Sequence, residues 1–144
     1  DSSSAKILEN IEKHLSTLGY GMLLAISRSN ENTEKECVRK LLDRFVEGII
    51  VVYPVFETIK SDFYEEISSK IPLILINDYH IKNNLNYVLS DIEKGTLEAL
   101  EYLSQIGHKK IAFIRYKGKH SDDIKQSIYE KHLLNHDKRK IIVE

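Results

Sequence analysis

The chain has one cysteine, two prolines, six glycines and no tryptophan in 144 residues. The single Cys37 excludes an internal disulfide framework and any zinc site built on cysteines. It is consistent with a reducing, cytoplasmic setting. No apolar run approaches the ~18 residues needed to cross a bilayer. The start, Asp1-Ser2-Ser3-Ser4, lacks the basic and apolar stretches of a signal peptide. It also lacks an initial Met, which reads as a fragment or a processed chain. Charge of one sign is missing too: 21 Lys and Arg against 22 Asp and Glu leave a net charge of −1. A nucleic-acid-binding module needs a basic face to neutralise phosphates, so this stretch is not such a module by itself. Low-complexity tracts and internal repeats are absent. What remains, 42% hydrophobic and 30% charged residues, is an ordinary globular composition with the length of one domain.

The hydrophobic pattern is orderly. Residues 5–18 read as a helix with Ile7, Leu8, Ile11, Leu15 and Leu18 inward, capped by Ser3 or Ser4 and ended by Gly19. The run 22–26 reads as a strand buried on both faces. Asn32 or Thr33 opens a helix that turns Cys37, Val38, Leu41, Leu42 and Phe45 inward. Residues 49–53 form a second buried strand, 57–70 a third helix and 73–76 a third strand. A polar connector and a short extended piece, 87–90, lead to Asp91. That residue is a candidate N-cap for a helix over 92–106, with Leu97, Leu100, Leu103 and Ile106 inward. The strand 111–114, a helix near 122–134 and a strand at 141–143 complete the chain. Fully apolar strands alternating with helices predict right-handed βαβ units: an α/β fold, a parallel sheet with helices on both faces. Ligands of such sheets bind beyond the carboxyl ends of the strands. Here those ends are Ser27-Arg28-Ser29, Tyr53-Pro54-Val55, Asn77-Asp78-Tyr79 and Arg115-Tyr116-Lys117.

Catalytic signatures are missing. No glycine loop cradles phosphate, and neither a G-x-S-x-G elbow nor a metalloprotease histidine pair occurs. His132 and His136 share a helix face, but no third metal ligand is evident, and a solvated helix end is the plainer reading. Cys37 lies on an apolar stripe and reads as a core residue rather than a nucleophile. Asp122 and Asp123 suit the N-terminal turn of the last helix. Lys138-Arg139-Lys140 reads as a solvated turn.

Several consecutive segments resemble one family. Val46-Glu47-Gly48-Ile49-Ile50-Val51 is similar to the V-D-G-I-I-V run of the lactose-repressor/galactose-repressor family. Ile71 to Asp78 resembles its I-P-V-V-x-I-D strand. Asp91, Gly95 and the run Ile106-Gly107-His108-Lys109-Lys110-Ile111-Ala112-Phe113-Ile114 look like its D-N-x-x-G…L-G-H-x-x-I-A-F-I block. Gly19-Tyr20 fits its G-Y turn. The spacings also fit, over nearly the whole chain.

The resemblance implies a periplasmic-binding-protein-like fold of type I, with flavodoxin-like strand order. It implies that residues 1–144 are the N-terminal lobe of an effector-binding core. A helix-turn-helix DNA-binding segment, a first central strand and a second lobe would then lie outside this chain. It further implies a cytoplasmic homodimeric transcription repressor, dimerising in part through the helix near 33–45. No membrane partner, metal or cofactor is expected. A small molecule, a sugar or sugar phosphate, would bind between the lobes and change affinity for operator DNA. A transport protein that binds sugar is the alternative; an enzyme has only the fold in its favour.

By resemblance, Ser2 and Ser3 stand where the family carries an N-P-F/Y loop, which removes an aromatic surface. Lys94 stands at a site that is an aspartate in the lactose repressor, so a hydroxyl acceptor is lost and an anionic ligand group becomes conceivable. Lys119, Ser121 and Lys125 stand where the family places Arg and Ser/Thr ligands; the plain alternative is three solvated residues. Tyr53 and Asp78 complete the expected effector-binding set, although a strand-end tyrosine is as often a packing residue.

Overall fold

The computed structural model describes residues 2–77, 84–116, 118–135 and 141–143. It divides into two compact units, Asp1–Ile76 with Ile81–Val88 and Asn77–His80 with Leu89–Glu144. Each has its own sheet. The parallel α/β architecture expected from the strand and helix alternation holds, but among the described residues the strands form two sheets rather than the expected one.

The first unit opens with helix α1 (Ser2–Thr17). Gly19 follows at φ +82. Its N–H donates to Ser16 O at 3.1 Å and the Tyr20 N–H to Leu15 O at 3.0 Å, the paired bonds of a glycine-terminated helix. Helix α2 (Glu31–Leu42) starts slightly earlier than expected, because Asn30 is the cap and its side chain accepts from the Thr33 N–H at 2.9 Å. Strand β1 (Ile49–Val52) is rich in β-branched residues and pairs in parallel with β2 (Leu73–Asn77), Ile49 beside Leu73 through Val52 beside Ile76. Strand β3 (Asn86–Leu89) completes the order β1-β2-β3.

Four expectations fail in this unit. Residues 22–26 form no strand, and Leu23, Leu24 and Ile26 are each more than half exposed. A strand requires a neighbour for its N–H and C=O groups; this segment instead receives a side-chain contact, Cys37 Sγ donating to Ile26 O at 3.8 Å. The core is one-sided: Ile49, Leu73 and Leu75 are buried, whereas Ile50 and Ile74 are 41% and 40% exposed. Phe45 and Leu18 point outward rather than inward, Phe45 at 91% exposure. It lies beyond the end of α2 at φ +56, off the helical period that would have turned it inward. The helix expected over 57–70 is two short ones, α3 (Phe56–Lys60) and α4 (Phe63–Ser68). Ser61 between them is extended, and its Oγ donates to Thr58 O at 2.8 Å. A serine hydroxyl offers the backbone this alternative to continued helix.

In the second unit, Asp91 caps α5 (Ile92–Gln105) as expected, accepting from the Lys94 N–H at 2.9 Å. Gly107 ends that helix at φ +94. Leu100 is buried, but Leu97 and Ile106 are exposed, against expectation. Strand β4 (Phe113–Ile114) pairs in parallel with β5 (Ile142–Val143), and α6 (His120–Asn135) lies between them in sequence. Leu100, Ile111, Tyr129 and Leu133 form the core, with Phe113 stacked on Tyr129 at 5.5 Å. His132, expected at a solvated helix end, is buried; its Nε2 lies 2.9 Å from Ser104 Oγ. Asp78, His136 and Lys138-Arg139-Lys140 lie outside the described residues.

Candidate functional site

In the first unit the candidate groups collect at the carboxyl end of β1. The Tyr53 N–H donates to Ile76 O at 2.8 Å, extending the ladder by one residue. Tyr53 then turns into the left-handed region, φ +53, with its side chain 37% exposed. Bulky residues adopt that conformation rarely. Pro54 is buried. The Val55 N–H donates to both oxygens of Glu34 on α2, at 3.1 and 3.0 Å. The Tyr64 hydroxyl donates to the same carboxylate at 2.7 Å. Burial first, and then the negative charge of Glu34, holds this phenol protonated well above the ordinary tyrosine range. Arg28 and Ser29, another expected strand-end group, have consecutive positive φ values of 53 and 55. Ser2 and Ser3 belong to the first turn of α1 rather than to a loop.

In the second unit the sequence-derived cations gather at the start of α6, with one exception. Lys125 Nζ lies 3.1 Å from Asp122 Oδ1, and Lys119 Nζ sits 5.0 Å from the centre of the Tyr116 ring. Ser121 is the second residue of the helix. Lys94 is instead on α5, exposed, with Glu98 at 3.8 Å. Asp122 and Asp123 occupy the first turn, where the helix dipole favours them. Arg115, at the end of β4, is held by Asp123 at 2.6 Å and by Gln126. A cavity of about 460 Å³ touches this turn through Lys125 and is otherwise mostly apolar, with Thr96, Leu100, Ile111 and Phe113 among its lining. That size is ordinary for a small-molecule pocket. Among the described residues no cluster of three metal-binding side chains occurs, and no helix is long and apolar enough to cross a membrane.

Asp122 gives this turn a pH dependence. Burial raises its pKa, but the Tyr116 N–H at 2.9 Å, Lys125 and Lys119 outweigh that, and the net displacement is below the ordinary 3.8. A depressed carboxylate stabilises the fold fully above the unfolded pKa and loses that contribution as pH falls through the folded one. Urea midpoints should therefore fall below pH 3.8 more steeply in the parent protein than in Asp122→Asn. Parallel curves would show that the carboxylate contributes nothing there.

One partner, Glu34, and one pairing, Asp122 with Lys125, were not singled out from the sequence. Glu34 precedes Val38 by one helical turn and so lies on the apolar stripe of α2, a legible sign of a buried carboxylate. The pairing of Asp122 with Lys125 had the i, i+3 spacing of a helix pair, but a cap role explained Asp122 equally well.

Comparison with known proteins identifies similar sequences and a similar fold. The chain is 27% identical over 111 residues to the catabolite control protein A of Priestia megaterium, covering 76% of this chain and 32% of that protein. It is 26% identical over 140 residues to an HTH-type transcriptional regulator of Lachnoclostridium phytofermentans, covering 95% and 42%. The fold is that of the Cra transcriptional dual regulator of Pseudomonas putida, solved with fructose 1-phosphate: TM-score 0.84, 19% identity, 99% of this chain and 53% of that one. The chain thus spans about a third to two fifths of the curated relatives it matches. With residues 1–132 matching the family's sequence profile, the chain belongs to the periplasmic binding proteins and sugar binding domain of LacI family.

Proposed function

We propose that this chain is the effector-binding part of a bacterial transcriptional repressor that senses a sugar or sugar derivative and changes operator affinity allosterically. The observation that carries the reading is the gathering of polar and aromatic groups at the carboxyl ends of β1 and β4, in a chain with relatives named as transcriptional regulators or repressors. Those names favour a regulator over a sugar-binding transport protein, and a binding role over an enzyme. The division into two units with separate sheets supports assigning the first to the N-terminal lobe and the second to the opening of another. The single N-terminal lobe expected for 1–144 is the alternative assignment.

Each unit carries candidate groups of its own. Tyr53 offers a ring face on which the apolar side of a sugar stacks. Lys125 with Asp122 presents a donor beside an acceptor, a match for sugar hydroxyls, while Lys119 suits an anionic substituent. Ser121 adds a hydroxyl. Ser2, Ser3, Lys94 and Asp78 remain in the proposed set by resemblance. The sugar biases whichever state of the homodimer binds it more tightly, and operator affinity follows by linkage. The complete protein is proposed to be cytoplasmic, with DNA contacted by a segment other than this chain.

The test is a thermal-shift screen of the complete protein against neutral sugars and sugar phosphates. A ligand at a hundredfold excess over its Kd adds ~2.7 kcal/mol of stability. Tyr53→Ala and Lys125→Ala should each weaken the hit roughly tenfold, the equivalent of about 1.4 kcal/mol. A hit that both variants bind as tightly as the parent would remove these residues from the site. A panel with no hit at all would count against sugar sensing.

A further inference from the structure

Glu34 is 3% exposed, and its hydrogen-bond donors are neutral: the Val55 N–H and the Tyr64 hydroxyl. A buried carboxylate is costly unless its oxygens are satisfied. On the apolar stripe of α2 a hydrocarbon side chain would fill the same place without that cost. What the carboxylate does is specific to one loop. Val55 stands at the start of α3 and has no side-chain cap bond of its own; Glu34 receives its N–H from a different helix.

The three residues leaving β1 are each tied down. Tyr53 is tied to Ile76 through its N–H, Pro54 has its φ fixed by the ring, and Val55 is tied to Glu34. A bulky residue at φ +53 persists only where its surroundings over-determine it. We infer that Glu34 is a positioning residue of the effector site: its carboxylate anchors Val55 and so sets the left-handed turn that presents Tyr53 at the end of β1. The functional meaning rests on the effector role proposed for Tyr53, whereas the anchor rests on the geometry alone.

The experiment is 19F NMR of the complete protein labelled with 3-fluorotyrosine. The Tyr53 resonance is identified by its loss in Tyr53→Phe. In Glu34→Gln that resonance should move toward the free-amino-acid position and sharpen, at a temperature well below the melting transition. A purely structural role would lower the melting temperature and leave the folded-state resonance where it was, which overturns the inference. Should Glu34→Gln fail to fold, Tyr64→Phe decides. It removes one donor to the carboxylate and should shift the same resonance in the same direction, and an unmoved line overturns the inference equally. No sugar is added, so a shifted resonance supports the anchor even if the sugar screen fails, and a sugar hit does not rescue an unmoved one.

Discussion

Tyr64→Ala should cost the first unit a large part of its stability. The ring is fully buried and packs edge-on to Phe63 at 5.5 Å, so its removal costs about 3–5 kcal/mol by analogy with other buried aromatics. The lost donor to the Glu34 carboxylate adds about 1.5–3 kcal/mol, the usual range for a hydrogen bond to a charged group. Small domains are stable by only about 5–15 kcal/mol, so the sum consumes a large part of the margin. Tyr64→Phe separates the two contributions: it keeps the ring and should show only the smaller loss. Chemical denaturation followed by circular dichroism measures both. If Tyr64→Phe were as stable as the parent, the Glu34 bond would be energetically idle, whatever its length.

The second large effect is expected at Tyr129. Its ring is fully buried against Phe113, and its hydroxyl joins two strands. Oη donates to Ile111 O at 2.6 Å, lies 3.0 Å from Ile141 O and accepts from the Ile141 N–H at 3.0 Å. Ile111 and Ile141 lead into β4 and β5, so this one side chain holds together a ladder of only two residue pairs. Tyr129→Ala should cost about 3–5 kcal/mol, and Tyr129→Phe about 1 kcal/mol for the neutral hydrogen bond. The sensitive measurement is amide hydrogen exchange. The Phe113 and Arg115 N–H groups donate to Ile141 O and Val143 O, each at 2.9 Å, and should exchange faster in Tyr129→Phe while β1 and β2 of the first unit do not change. Unchanged exchange at Phe113 would mean that backbone pairing alone holds β4 to β5.

Local signals were read well from the residues, because they act over a few positions. Gly19 and Gly107 end helices at positive φ, Asp91 caps α5, and the apolar runs at 49–52 and 73–76 become paired strands. The four segments that resemble the family fall on or beside these same elements, which is why the family could be named from the residues. Reading failed where the answer depended on a distant neighbour. The apolar run 22–26 has strand composition, yet a strand is defined by its partner. Phe45, Leu97 and Ile106 carry apolar side chains that periodicity alone turns inward, but burial depends on what lies opposite.

The candidate site divides in the same way. Tyr53 could be listed from its place at a strand end, and the lysines around α6 from the family resemblance. Their states could not. That Tyr53 leaves β1 in a left-handed turn, that Glu34 on another helix anchors the next residue but one, and that Lys125 is already matched by Asp122 are consequences of packing. Hydrogen bonds and charge pairs form between groups 21 or 30 residues apart as readily as between neighbours. Their geometry exists only once the chain has closed around them, so linear spacing carries no record of it.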